Sequence, residues 1–140
     1  LVGLHAILTD GSYHDVDSNE LSFKMAARLA YKAGIPQANP CILEPLGIMK
    51  VYVPDSCMGD VIGDLNKRRG RILGMNPTES GEQEVVAEVP MAEVSSYAIT
   101  LRSITQGRGW FTYKFERYEE APPAVQQKVI EESKFVDEEE

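Results

Sequence analysis

Val2, Leu4, Ala6 and Leu8 alternate with Gly3, His5, Ile7 and Thr9, a period of two that predicts a strand with one buried face. Asp10-Gly11 ends it, and the polar stretch from Asp10 to Ser18 predicts a loop presenting Tyr13 and His14. Leu21, Met25, Ala26, Leu29 and Ala33 then recur at helical spacing. Asp17, with Glu20 three residues on, is the expected N-cap and its reciprocal partner; Gly34 and Pro36 are the stop. Three prolines within residues 35–45 fix an extended connector, and a domain boundary is expected there.

Beyond the connector the period changes four times. Ile48 to Val53 predicts a strand; Met58, Val61, Ile62 and Leu65 line one side of a helix opened by Pro54-Asp55 and closed by Gly70. Arg71 to Met75 is a second strand, and Val85, Ala87 and Val89 alternate along a third. Val94, Tyr97, Ala98 and Leu101 return to helical spacing before Phe111, Tyr113 and Phe115 alternate along a fourth strand. The order strand, helix, strand, strand, helix, strand is the split β-α-β, ferredoxin-like arrangement (βαββαβ) of the α+β class, in which two helices on one face of a four-stranded antiparallel sheet bury both apolar stripes together. Gly59 and Gly63 are expected to let the first of these helices approach the sheet closely. After Pro122-Pro123, the residues Ala124, Val125, Val129 and Ile130 predict a short amphipathic helix, and Asp137 to Glu140 a frayed acidic end. The expected division is 1–44, a partial α/β segment; 45–120, the ferredoxin-like domain; and 121–140, a C-terminal helix and acidic tail.

A chain of 140 residues with 43% hydrophobic positions can fill a packed interior. The net charge of −8 argues against a nucleic-acid partner until it is divided by segment: −2 over residues 1–44, zero over 45–118, and −6 over 119–140. The acidity is mostly a tail. Two cysteines, Cys41 and Cys57, are too few for a disulfide framework, so a reducing, cytoplasmic setting is expected. No apolar run reaches the roughly 18 residues of a membrane span, and no membrane partner is expected. Starting at Leu1 inside a strand-like pattern, the chain reads as a piece of something longer.

No catalytic centre, nucleotide loop or metal site is predicted. Gly107-Arg108-Gly109 precedes a strand and offers phosphate no helix N-terminus. Asp15, Asp17 and Asn19 imitate a calcium loop, but Glu20 and Ala26 stand where it needs Gly and a bidentate Glu. His5, His14, Cys41 and Cys57 lack zinc spacing, and Ser12-Tyr13-His14-Asp15 are sequence neighbours without the geometry of a triad. The cations are more informative. Lys67, Arg68, Arg69 and Arg71 put four positive charges in five residues at a helix end, where one or two would satisfy the helix dipole; the excess suits RNA phosphates. Arg102 and Arg108 form a second cluster near the end of the other helix.

The run from Asp10 to Ser18 with Glu20 and Phe23-Lys24 resembles the tip loop and helix of the fourth domain of bacterial elongation factor G. Leu43-Glu44-Pro45, Met49-Lys50-Val51, the segment from Met58 to Asn66 with Arg68-Arg69-Gly70, Tyr97-Ala98, Leu101-Arg102-Ser103, Thr105 to Arg108 and Tyr118-Glu119-Glu120 resemble its fifth. The resemblance implies the C-terminal part of a ribosomal translocase, with the ribosome (its RNA and proteins) and the tRNA–mRNA pair as partners. GTP and Mg2+ would belong to the parent protein and no cofactor to this segment. It implies further that Gly11, Ser12, Tyr13 and His14 form the tip beside the transfer RNA, that the cations around Arg68 and Arg102 are candidate contacts to ribosomal RNA, and that the final helix packs on the fourth domain. Leu46-Gly47-Ile48, Val94-Ser95-Ser96 and Trp110 depart from the usual pattern and point to a paralogue. Self-association of the segment through uncovered apolar surface is also expected. Two other readings stand beside this one: a fragment of a tetracycline-resistance-type ribosomal protection protein, which should carry a different tip loop, and a stand-alone ferredoxin-like module binding a small ligand or a protein, which has no need of the Lys67 to Arg71 cluster.

Overall fold

The computed structural model describes residues 1–134; the acidic end from Asp137 to Glu140 lies outside them. The chain divides into two units, Leu1–Pro40 and Cys41–Glu140, a few residues ahead of the boundary expected at 44/45.

In the first unit the alternating residues 1–9 form no strand with any described residue. Alternation yields a strand only when a neighbour takes up its N–H and C=O groups, and none of the described residues does so. Helix α1, Glu20–Gly34, is capped by Asn19, whose Oδ1 accepts the Ser22 N–H at 2.8 Å, and not by Asp17. Glu20 pairs with Lys24 one turn on instead of reaching back. Gly34 ends α1 as expected, yet Ile35–Ala38 add a turn of 3-10 helix, which accepts Pro36 near its start. None of the α1 residues is buried.

The second unit follows the predicted order: β1 (Leu43–Pro54), α2 (Met58–Lys67), β2 (Arg71–Pro77), β3 (Glu82–Pro90), α3 (Tyr97–Thr105), β4 (Trp110–Glu120) and α4 (Pro123–Lys134). The sheet runs β2-β3-β1-β4 with every neighbouring pair antiparallel. This is the split β-α-β fold. Pro45 is tolerated in central β1 because it pairs only with Tyr118 of β4; pairing to β3 begins at Leu46. Met49, Val51 and Val53 of β1 and Val85, Ala87 and Val89 of β3 face the helices, where Val61 and Leu65 of α2 and Tyr97 and Leu101 of α3 close the core. Each apolar stripe thus has a matching apolar strand face. Gln126 fastens α4 to the start of β1: its Oε1 accepts the Ile42 N–H at 3.1 Å and its amide donates to the Ala121 carbonyl at 2.7 Å.

Close approach falls on glycines other than those expected. A Cβ on Gly59 or Gly63 would meet nothing within 4 Å. At Gly47 it would lie 2.5 Å from the Tyr113 ring, which crosses β1 there so that its hydroxyl donates to the Val89 carbonyl at 3.0 Å. Beside this crossing the register between β1 and β4 shifts: Gly47 pairs with Phe115 but Leu46 with Arg117, leaving Glu116 as the extra residue. Phe115, expected to share a face with Phe111 and Tyr113, is consequently 44% exposed.

Candidate functional site

The expected tip loop is fastened at its base and open at its apex. The His14 N–H donates to Ser18 Oγ at 2.7 Å and the Ser18 N–H returns to the His14 carbonyl at 3.0 Å, closing the turn over Asp15 to Asp17. The Tyr13 ring lies nearly parallel to that of Phe23 in α1, with centroids 6.4 Å apart, which ties the loop to its helix. Gly11, Ser12, Tyr13 and His14 are all exposed. No hydrogen bond to the His14 imidazole is formed among the described residues, so the ring is oriented by the backbone alone.

The cations separate into three kinds. Arg68 is a structural residue: its guanidinium bonds Asp64 at 2.7 Å, the Glu93 carbonyl at 2.8 Å, Ser96 Oγ at 2.9 Å and Thr100 Oγ1 at 2.8 Å, and lies 5.3 Å from the Tyr97 ring centroid. It joins the end of α2 to the start of α3, with four of its five N–H donors engaged within the domain. Arg69 is also engaged: it makes two bonds to Glu44, at 2.8 and 3.0 Å, and approaches Glu93 at 3.7 Å. Hydrogen bonding to Glu44 raises its pKa above the usual arginine value. Lys67, Arg102 and Arg108 are exposed without an ion pair among the described residues, and Arg71 is 71% exposed with only a 3.5 Å approach to Glu88.

Topology divides the remaining cations again. Lys67 and Arg71 flank the turn at the end of the sheet where β1 starts and β3 finishes; Arg102 and Arg108 lie at the opposite end, where β4 starts. Arg71 is level with Ile48 through Glu88, and Arg108 lies two residues before Trp110, the partner of Tyr52, so the two groups are roughly 20 Å apart along the strands. The six arginines and lysines singled out from the sequence therefore do not form one patch.

The sheet face away from the helices carries a group that sequence reasoning passed over. Tyr52 of β1 and Trp110 of β4 are register partners whose rings stack at 4.1 Å between centroids with 14° between planes. Next along the same face come Lys50 beside Thr112, then Ile48 beside Lys114. The signal was present in the chain: Ile48, Lys50 and Tyr52 alternate with the core positions Met49, Val51 and Val53. On β3 of this face Glu88 is buried, bonded by Arg117 at 2.8 and 3.0 Å, and these bonds hold its carboxyl below the usual carboxylate range.

No cluster of His, Cys, Asp or Glu among the described residues could hold a metal ion, and no described helix is long and apolar enough to cross a membrane. The geometry defines an α+β chain of two consecutive units, a loop-and-helix segment and a ferredoxin-like domain, whose conspicuous polar groups lie on outer surfaces. Comparison with known proteins supplies the family. Residues 1–39 match the family described as elongation factor G, domain IV, and residues 41–129 match elongation factor G C-terminus. The chain belongs to the elongation factor G family and carries segments that match its fourth and C-terminal domains. It is 51% identical over 129 residues to an elongation factor G-like protein of Thermotoga maritima, covering 92% of this chain and 19% of that one. A crystal structure of a Thermus thermophilus protein matches 88% of this chain and 18% of its own, with a TM-score of 0.70 and 46% identity. The chain thus spans about a fifth of the length of these relatives.

Proposed function

We propose that this chain is the ribosome-docking end of an elongation factor G-like translational GTPase acting in movement of the tRNA–mRNA pair in the cytoplasm. GTP and Mg2+ belong, in this reading, to a part of the parent protein outside this chain. The observation that carries the proposal is the loop from Asp10 to Ser18: fastened by the two His14–Ser18 hydrogen bonds and by Tyr13 on Phe23, it holds the His14 side chain exposed at the base of the Asp15–Asp17 turn, in a segment matched to domain IV of the family. Its role is positional. The imidazole has no carboxylate or nucleophile beside it to form acid-base machinery among the described residues; it occupies space next to the transfer RNA and hinders backward slippage. Lys67, Arg71, Arg102 and Arg108 are the cations left to meet ribosomal RNA, whereas Arg68 and Arg69 hold the domain together.

His14→Ala in the full-length parent is expected to slow translocation about tenfold or more while ribosome-stimulated GTP hydrolysis stays near normal. Single-turnover translocation and phosphate release, measured side by side, check this; an equal loss in both defeats the positional role.

A further inference from the structure

No side chain of the loop from Asp10 to Ser18 is fully buried, so packing does not order it. Two serine hydroxyls at the entry of α1 do so instead. Ser18 Oγ accepts the His14 N–H at 2.7 Å while the Ser18 N–H returns to the His14 carbonyl at 3.0 Å. Ser22 Oγ lies 3.0 Å from the Asp17 carbonyl and 3.0 Å from Asn19 Oδ1, and shares its one proton between them; that same Asn19 oxygen caps α1 by accepting the Ser22 N–H at 2.8 Å. Phe23 closes the remaining flank under the Tyr13 ring. Each holding group lies within residues 18–23, so the first turn of one helix grips the residue before His14, His14 itself and the last residue of the turn that follows.

We propose that Ser18 and Ser22 are positioning residues for His14, their hydroxyls setting the loop before it docks. With no hydrogen bond of its own among the described residues, the imidazole follows the His14 backbone, and Ser18 Oγ is the side-chain group that fixes that backbone. A loop that arrives already ordered loses less conformational freedom on binding, so its contacts count more fully. The two hydroxyls have separable tasks. Alanine at 18 keeps the N–H that bonds the His14 carbonyl and removes only the acceptor of the His14 N–H. Alanine at 22 keeps the N–H that Asn19 caps and removes only the tie to Asp17 and the second approach to Asn19, so the helix retains its cap. The inference deepens the ribosome reading, on which it rests for the task of His14 and not for the geometry.

Hydrogen exchange of the full-length parent, read by mass spectrometry over residues 11–17 and over residues 24–33 of α1 as a control, reports the order of the loop directly. Ser18→Ala and Ser22→Ala are each expected to speed exchange in the loop about fivefold, the equivalent of one lost hydrogen bond, and to leave α1 unchanged. Ser18→Thr keeps the acceptor and should hold loop exchange and translocation within about twofold of wild type. In single-turnover translocation Ser18→Ala should slow the wild-type parent about threefold or more and add nothing to His14→Ala, because a group that acts through the imidazole has no effect once the imidazole is gone. Unchanged loop exchange in Ser18→Ala, exchange that rises equally in α1, failure of Ser18→Thr to rescue, or equal slowing with and without His14 would each overturn the proposal. The two readings fail separately. Translocation at the wild-type rate in His14→Ala overturns the task given to the tip, whereas slowing by His14→Ala with none by Ser18→Ala overturns the positioning role alone.

Discussion

Tyr97 and Tyr113 are both phenols whose pKa burial pushes up, yet they answer to different constraints. The Tyr97 hydroxyl is buried with no hydrogen-bond partner among the described residues, while Tyr113 donates to the Val89 carbonyl. An unpartnered buried hydroxyl costs about 1–3 kcal/mol, whereas a made bond returns about 1 kcal/mol. Tyr97→Phe should therefore raise the unfolding free energy by about 1 kcal/mol and keep the ring beneath Arg68, and Tyr113→Phe should lower it by about the same; urea titration checks both. Single positions are legible only where local rules act alone. His14 stands exposed in its polar loop as its neighbours dictate, but the left-handed residue at the end of α2 falls one position earlier than the glycine that the sequence marks. Arg69, at φ 59°, takes the left-handed position, and Gly70 is needed because a Cβ there would meet the Leu65 carbonyl oxygen at 2.7 Å. The partner that holds Arg69 in this conformation, Glu44, is 25 residues away in sequence.

The strands and helices of the second unit can be read from period alone because each stripe has one packing partner, so pattern and fold agree. The N-terminal strand cannot, since ladder partners leave no trace in a strand's own sequence. The same blindness joins Arg68 to its neighbours as one cluster: the helix end, the left-handed residue and the strand start send adjacent side chains in different directions. Arg68→Met should cost about 2–4 kcal/mol by unpartnering Asp64 and loosening α2 from α3, while Lys67→Ala should stay within about 0.5 kcal/mol; chemical denaturation of the two variants separates a structural cation from a free one. Glu88 clips β3 to β4 across β1 through Arg117. Its folded pKa lies below the ordinary value of 4.5, so its contribution is complete above about pH 4.5 and disappears as pH falls through the folded value. Stability measured from pH 7 down to 3 should show this acid-dependent loss, and Glu88→Gln should flatten that part of the profile.

The two units differ in what they bury. Every residue of α1 has solvent contact, whereas Met49, Val51 and Val53 of β1 are fully enclosed. Amides of α1 are therefore expected to exchange with deuterium at least about a hundredfold faster than those of central β1. Equal protection in a native-state exchange experiment would show that the units open together. Within the second unit, the free cations at opposite ends of one stiff sheet give it the mechanics of a strut. Under the proposed ribosome-docking reading, either foot stays planted while the other swings, and a span of roughly 20 Å turns a few degrees of tilt at the planted foot into a displacement of about 1–2 Å at its far end.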